Sequence, residues 1–251
     1  LTRPAGQVPE GGYPLVVEAH GGPSYSFFEY YPGGKSWLIS PAGALAYQGF
    51  ALFRPNIRGS SGYGAEFTYA NLADWGGGDF RDVMEGVGVL VDRGIADPKR
   101  LAIMGQSYGG YMAAWAVTQT DAFKAGIVVD GITDLTSDAF TTDIPHYMAD
   151  NLGGFAWEHP GLYGARSPIT NVRNVVTPTL LLHGENDPRV PLGQAQEFYA
   201  ALKILKVPAR LVIYPRAGHY PGETAQQLDL WEREIEWLLT YLGTPATPAA
   251  K

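Results

Sequence analysis

Cysteine is missing from all 251 positions, which excludes disulfide staples, thiolate metal sites and a cysteine nucleophile together. Basic residues are in deficit: 18 Lys and Arg face 25 Asp and Glu, for a formal net charge of −7, and no polybasic run appears. That balance argues against a nucleic-acid partner, because a phosphate backbone demands clustered Lys and Arg, and it offers nothing to hold an anionic membrane surface. Long apolar runs are missing too. Stretches such as YMAAWAV, Tyr111 to Val117, fall far short of the about 20 residues a bilayer span requires. No signal-peptide pattern opens the chain, which weighs little because residue 1 is Leu and not Met; the cytoplasm is the expected location, and the lack of cysteine does not itself fix a compartment.

What is present is a chain long enough, at 45% hydrophobic content, to bury the core of one α/β domain. Short β-rich runs alternate with longer amphipathic segments, the signature of a mostly parallel, doubly wound sheet covered by helices on both faces. Strands are expected at Pro14 to His20, Phe50 to Asn56, Arg100 to Gly105, Ala125 to Asp130, Pro178 to Gly184 and Ala209 to Pro215. Their near-continuous apolar character suits strands buried on both faces. Helices are expected over Asp79 to Gly94, Ser107 to Thr120, Leu192 to Leu205 and Glu223 to Gly243; in the first, Phe80, Val83, Met84, Val87, Leu90 and Val91 share one face. The alternation breaks from Ile132 to Val176, read as an excursion over the carboxyl edge of the sheet, where ligands bind in such folds. Residues 244–251 have the composition of a disordered tail, leaving 1–243 as the folded domain.

One stretch carries chemistry. Gly105-Gln106-Ser107-Tyr108-Gly109 follows a strand and opens a helix, the context of a nucleophile elbow, in which glycines relieve a strained turn and lift the serine hydroxyl clear. The plain alternative is a capping serine. A serine hydroxyl needs a base and an orienting acid, and in α/β-hydrolases these follow in the order Ser, acid, His. Of five histidines, His219 lies on a loop just beyond the last strand and is the favoured base. His183 reads as a hydrogen-bonded core or rim residue, and His146 and His159 lie in the excursion. Two acids end strands: Asp187 is favoured because its loop precedes the strand leading to His219, with Asp130 as the competitor. Donors for a substrate oxyanion are expected from HGGP, His20 to Pro23, and from the Tyr108 N–H.

These residues, with NIRGSSGYG (Asn56 to Gly64), GQSYGGYM, ARSPI (Ala165 to Ile169), HGENDPRVP and AGH, make the chain resemble the catalytic domain of the prolyl oligopeptidase family of serine peptidases, most of all its acylaminoacyl-peptidase-like branch. The resemblance runs over nearly the whole chain. It implies an α/β-hydrolase fold with Ser107, Asp187 and His219 as catalytic triad, backbone donors at Gly22 and Tyr108, and Arg189 holding a substrate carbonyl. No metal or organic cofactor is implied, and the partner is a peptide or small acyl substrate. Some relatives place a tyrosine hydroxyl where His20 stands, so the backbone donors carry the oxyanion role here. Arg58 is expected to brace its loop. Relatives also carry an N-terminal β-propeller and two or more strands before the segment matching Pro14, so the expectation is either a catalytic fragment of a longer enzyme or a sheet built without those strands. A bare catalytic domain would expose aromatics such as those of SYSFFEYY, Ser24 to Tyr31, an apolar patch that invites self-association.

The expected activity is hydrolysis of peptide or acyl-peptide bonds through an acyl-enzyme. The same machinery cleaves small acyl esters, so a carboxylesterase is the alternative, to be separated with matched amide and ester substrates. A non-catalytic binding module on a hydrolase fold is a third reading, against which the unbroken triad argues. Phe140, Tyr147, Phe155 and Trp157 are candidate walls for the side chain at the cleaved bond, or else core.

Overall fold

The computed structural model describes residues 1–28 and 41–245. Six strands form one sheet: β1 (Tyr13–Ala19), β2 (Ala51–Phe53), β3 (Ala96–Gln106), β4 (Phe123–Val129), β5 (Thr179–Gly184) and β6 (Ala209–Tyr214). Their order is β2-β1-β3-β4-β5-β6, and each neighbouring pair is parallel. All six expected strands are present. β2 is shorter than expected: its pairing with β1 ends at Phe53, and Pro55, which has no N–H to give a ladder, follows, while Arg54 Nε lies 2.6 Å from the buried Glu18 carboxylate.

Helices fill the connections. α1 (Ala42–Tyr47) and α2 (Ala65–Thr68) are short; α3 (Gly78–Asp92) and α4 (Tyr108–Gln119) flank β3. The excursion holds α5 (Leu135–Thr141), α6 (Pro145–Leu152), α7 (Pro160–Arg166) and a 3-10 turn at Pro168–Asn174; α8 (Gly193–Ile204) and α9 (Thr224–Leu242) complete the set. None of these helices is long and apolar enough to cross a membrane.

Strand alternation divides the core into two layers, as a period-2 pleat requires. Leu15, Val17, Ile103, Val128 and Leu181 face α3, α4 and α8, where Val83, Tyr111 and Phe198 meet them. Val16, Ala102, Met104, Ile127 and Leu182 face α1 and α9, where Leu45, Leu230 and Leu238 meet them. Register then aligns the carboxyl ends: Ala19 pairs with Gly105, Gly105 with Val128, Val129 with Leu182 and Gly184 with Tyr214. The residues that follow these strands therefore share one rim. The chain reverses its direction across the sheet between β1 and β3, the switch point where open α/β sheets bind ligands.

The tail beyond residue 245, and the last part of SYSFFEYY, lie outside the described residues. Of that segment, Phe28 is exposed and Tyr25 partly so, while Ser26 is buried.

In α9, Leu230, Glu234, Leu238 and Leu242 make one buried stripe in which Glu234 is the polar member. Among the described residues neither of its carboxyl oxygens has a hydrogen-bond partner. Burial, and then the charge of Glu18, push its pKa well above 4.5. The folded state thus keeps a proton that the unfolded chain releases, so native stability falls as pH rises above that value. Glu234→Met is expected to stabilise the fold by about 1–3 kcal/mol at pH 8, with the gain shrinking toward pH 5, in urea unfolding at the two pH values.

Candidate active site

β3 ends in a turn that no ordinary L-residue adopts freely: Ser107 has φ 59° and ψ −122°. Packing leaves little choice, since a Cβ on Gly109 would stand 2.0 Å from the Ala19 carbonyl oxygen. The Ser107 N–H donates to the Val129 carbonyl at 3.0 Å, and the Ser107 carbonyl accepts from the Tyr111 N–H at 2.8 Å, which starts α4. The Ser107 side chain does not cap that helix. The capping-serine alternative is thereby removed, and Ser107, half-buried, stands on the rim.

Tyr108 anchors the elbow from below. Its ring is fully buried, edge-on to Trp75, and its hydroxyl donates to the Asp79 carboxyl and accepts from Asn71 Nδ2 at 3.2 Å. Burial pushes the Asp79 pKa up to about 6 against the Tyr108 hydrogen bond, which lowers it. The sequence does not reveal this partner of Asp79, which exists only because α3 packs against α4.

The HGGP turn lies against the elbow. A Cβ on Gly21 would come 3.5 Å from the Ser107 Cβ, and Gly22, with φ 120°, precedes a cis bond to Pro23. The Tyr108 N–H belongs to the first turn of α4, where amides have no intrahelical partner and the helix dipole favours negative charge. His20 points elsewhere: its Nδ1 donates to the Gly21 carbonyl and its Nε2 accepts from the Ser60 hydroxyl, each at 2.7 Å. Burial lowers its pKa, in keeping with that neutral tautomer. Arg58 braces its loop through Asp82, at 2.6 and 2.8 Å.

His219 follows β6 and carries the clearest contact. Its Nδ1 donates to Asp187 Oδ2 at 2.7 Å, which leaves Nε2 as the acceptor of the neutral ring. Asp187 Oδ1 accepts the N–H groups of Arg189 at 2.8 Å and Val190 at 3.0 Å, so donors from its own loop hold the buried carboxylate. Among the described residues no hydrogen bond joins the Ser107 hydroxyl to the His219 ring; such bonds are often long before substrate arrives. The two loops are nonetheless tied, for Gln106 Nε2 donates to the His219 carbonyl at 2.9 Å.

Asp130, the competing acid, does not reach the imidazole. It is buried at φ 44°, its Oδ1 accepts from the Gly184 N–H at 2.9 Å and its Oδ2 from Gln106 Nε2 at 3.3 Å. Burial, then the charge of Asp187, push its pKa well above 3.8. His183 donates through Nε2 to the Val190 carbonyl at 2.8 Å, and burial lowers its pKa. Asp130, His183 and Asp187 bring ligand-type atoms within 4.8 Å of one another, yet the hydrogen bonds just given already occupy the His183 Nε2 and the carboxyl oxygens.

Arg189 is ion-paired with Asp143 of the excursion, Nε to Oδ1 at 2.6 Å, with both side chains about two-fifths exposed. Asp143 was not singled out in the sequence. Phe140 and Trp157 are exposed and so are not core; with Phe155 they form a stack whose successive rings are 5.4 and 4.5 Å apart.

This fold, with a serine elbow, a carboxylate-bound histidine and a glycine turn at one rim, belongs to the serine hydrolases built on the α/β-hydrolase architecture. The sequence profile of the prolyl oligopeptidase family matches residues 39–245, and the chain belongs to that family. It is similar to the uncharacterized peptidase YuxL of Bacillus subtilis, 39% identical over 226 residues, covering 89% of this chain and 33% of that protein. The acylamino-acid-releasing enzyme of Mus musculus is 32% identical over 253 residues, covering 97% of this chain and 34% of that enzyme. The chain thus spans about a third of the length of these relatives. Among solved structures, an acylaminoacyl peptidase of Pyrococcus horikoshii superposes with a TM-score of 0.85 at 29% identity, over 99% of this chain and 39% of that one. A puromycin-hydrolyzing peptidase of Mycobacterium tuberculosis gives 0.86 at 31%, over 98% and 36%.

Tyr108→Phe takes away the donor that lowers the Asp79 pKa, so the buried carboxylate becomes harder to ionise in the folded state. Asp79 already makes stability fall as pH rises from 3.8 toward about 6. The variant is expected to lose about 1–3 kcal/mol of unfolding free energy at pH 8 and less at pH 5.

Proposed function

We propose that this chain is the catalytic part of a serine peptidase that hydrolyses peptide or acyl-peptide bonds through Ser107, His219 and Asp187. The observation that carries the reading is the 2.7 Å hydrogen bond from His219 Nδ1 to Asp187, on the same rim as the strained Ser107 elbow. The acylamino-acid-releasing and puromycin-hydrolyzing relatives support the substrate class.

In the first step Ser107 Oγ attacks the substrate carbonyl carbon while His219 Nε2 takes the hydroxyl proton. Asp187 holds the ring and stabilises the imidazolium. The N–H groups of Gly22 and Tyr108 receive the oxyanion, whose stabilisation is usually worth about 3 kcal/mol per donor. Collapse expels the amine, which takes the proton from His219 and leaves an acyl-Ser107 ester. Water then attacks that ester, giving its proton to His219, and the returning proton restores the serine. Arg189 holds a substrate carbonyl in this scheme, sharing its guanidinium with Asp143. A propeller domain elsewhere in the whole protein, covering the exposed aromatics near Phe28, is part of the same proposal.

Fluorophosphonate labelling of the intact protein is expected at Ser107 and is expected to vanish in Ser107→Ala. Asp187→Asn is expected to lower kcat by about 10⁴-fold, through the wrong imidazole tautomer. Failure to label Ser107 would leave only a binding module. Matched acyl-amide and ester substrates separate the chemistries: ester cleavage without measurable amide cleavage would make it an esterase. Arg189→Met is expected to raise KM by about tenfold or more with a smaller change in kcat, in steady-state assays of the same substrates.

A further inference from the structure

Gln106 is half-buried on the amino side of Ser107 and uses one amide nitrogen twice. Nε2 donates to the His219 carbonyl at 2.9 Å, across 113 residues of sequence, and to Asp130 Oδ2 at 3.3 Å. Both neighbours are acceptors, so only the NH2 end of the amide satisfies them. Asp130 passes the tie on. Its Oδ1 accepts the N–H of Gly184, the last residue of β5 and the start of the loop that carries Asp187. That loop is itself laced to the His219 loop, with the Glu185 N–H donating to Tyr214 at 3.0 Å and the Asn186 N–H to Ala217 at 2.8 Å.

We propose that Gln106 and Asp130 form a positioning brace that sets the spacing of the loops bearing Ser107, Asp187 and His219. Neither side chain reaches reacting atoms. The pair converts three independent loop ends into one hydrogen-bonded unit, so that the imidazole is held at a set height above the elbow. Asp130 thereby acquires a role distinct from that of the orienting acid. The proposal rests on the reading that Ser107, His219 and Asp187 act together. A displacement of about 1 Å between reacting groups is enough to cost a hundredfold in rate, so a brace at this point acts on kcat.

The test is Gln106→Met in the intact protein, which keeps the length of the side chain and removes both donors. The expected result is a parallel fall of about tenfold to hundredfold in kcat and in the rate of fluorophosphonate labelling of Ser107, with KM within about twofold of its original value. Asp130→Asn, which removes one of the two acceptors, is expected to act in the same direction, and the double variant is expected to lose less than the product of the two single effects. Should Gln106→Met not fold, Gln106→Asn, whose amide is too short to span both acceptors, is measured in the same way. Labelling at the original rate in the Gln106 variant, or full additivity with Asp130→Asn, would overturn the brace. Absence of labelling in the unmodified protein would instead overturn the triad reading on which the brace depends.

Discussion

The turn between β3 and α4 is the constraint around which the rest is arranged. A serine held at positive φ stores strain, and it persists only where the surroundings over-determine it. Here every neighbouring element contributes. β1 brings its Ala19 carbonyl so close to Gly109 that no side chain fits, and β4 takes the Ser107 N–H on Val129. α3 supplies Asp79 to the Tyr108 hydroxyl, and Trp75 closes the space beside that ring. Local strain is thus borne by the whole sheet, and the hydroxyl stays presented on the rim without help from a flexible loop.

Around that turn the protein sorts its acids by environment. Asp187 receives three N–H donors, two from its own loop and one from the imidazole. Asp130, close by, is pushed by burial and by Asp187 itself toward the neutral form, and accepts hydrogen bonds instead of balancing charge. Asp79 is a third case, a buried acid whose Tyr108 hydrogen bond partly offsets its desolvation. Acids of one chemical type thus fill different positions because their partners and dielectric differ.

The inner strands were legible because burial on both faces leaves a near-continuous apolar run, as in Ala125 to Val129 and Leu180 to Leu182, whereas the edge strand β6 keeps its apolar run although it is only partly buried. α1 and α2 were not, being short and without side-chain caps, so neither periodicity nor capping signalled them. The excursion is more instructive. Its prolines start helices and do not interrupt them: Pro145 and Pro160 open α6 and α7 at positions where a missing N–H costs nothing, and Asp134 caps α5 by accepting from Thr136 and Ser137. Ser107, Asp187 and His219 could be picked from strand ends and chain order. Gln106 could not, since a glutamine inside a glycine motif has no chemistry until its acceptors are known.

Sequence alone determined the alternation of strands and helices, the glycine elbow and the residues eligible for chemistry, because these follow from local sterics and from the period of burial. Which acid meets the imidazole, where His20 turns and what Arg189 pairs with were decided by tertiary structure. Those contacts join residues 32, 40 and 46 positions apart, and only the parallel register of the strands brings their ends to one edge.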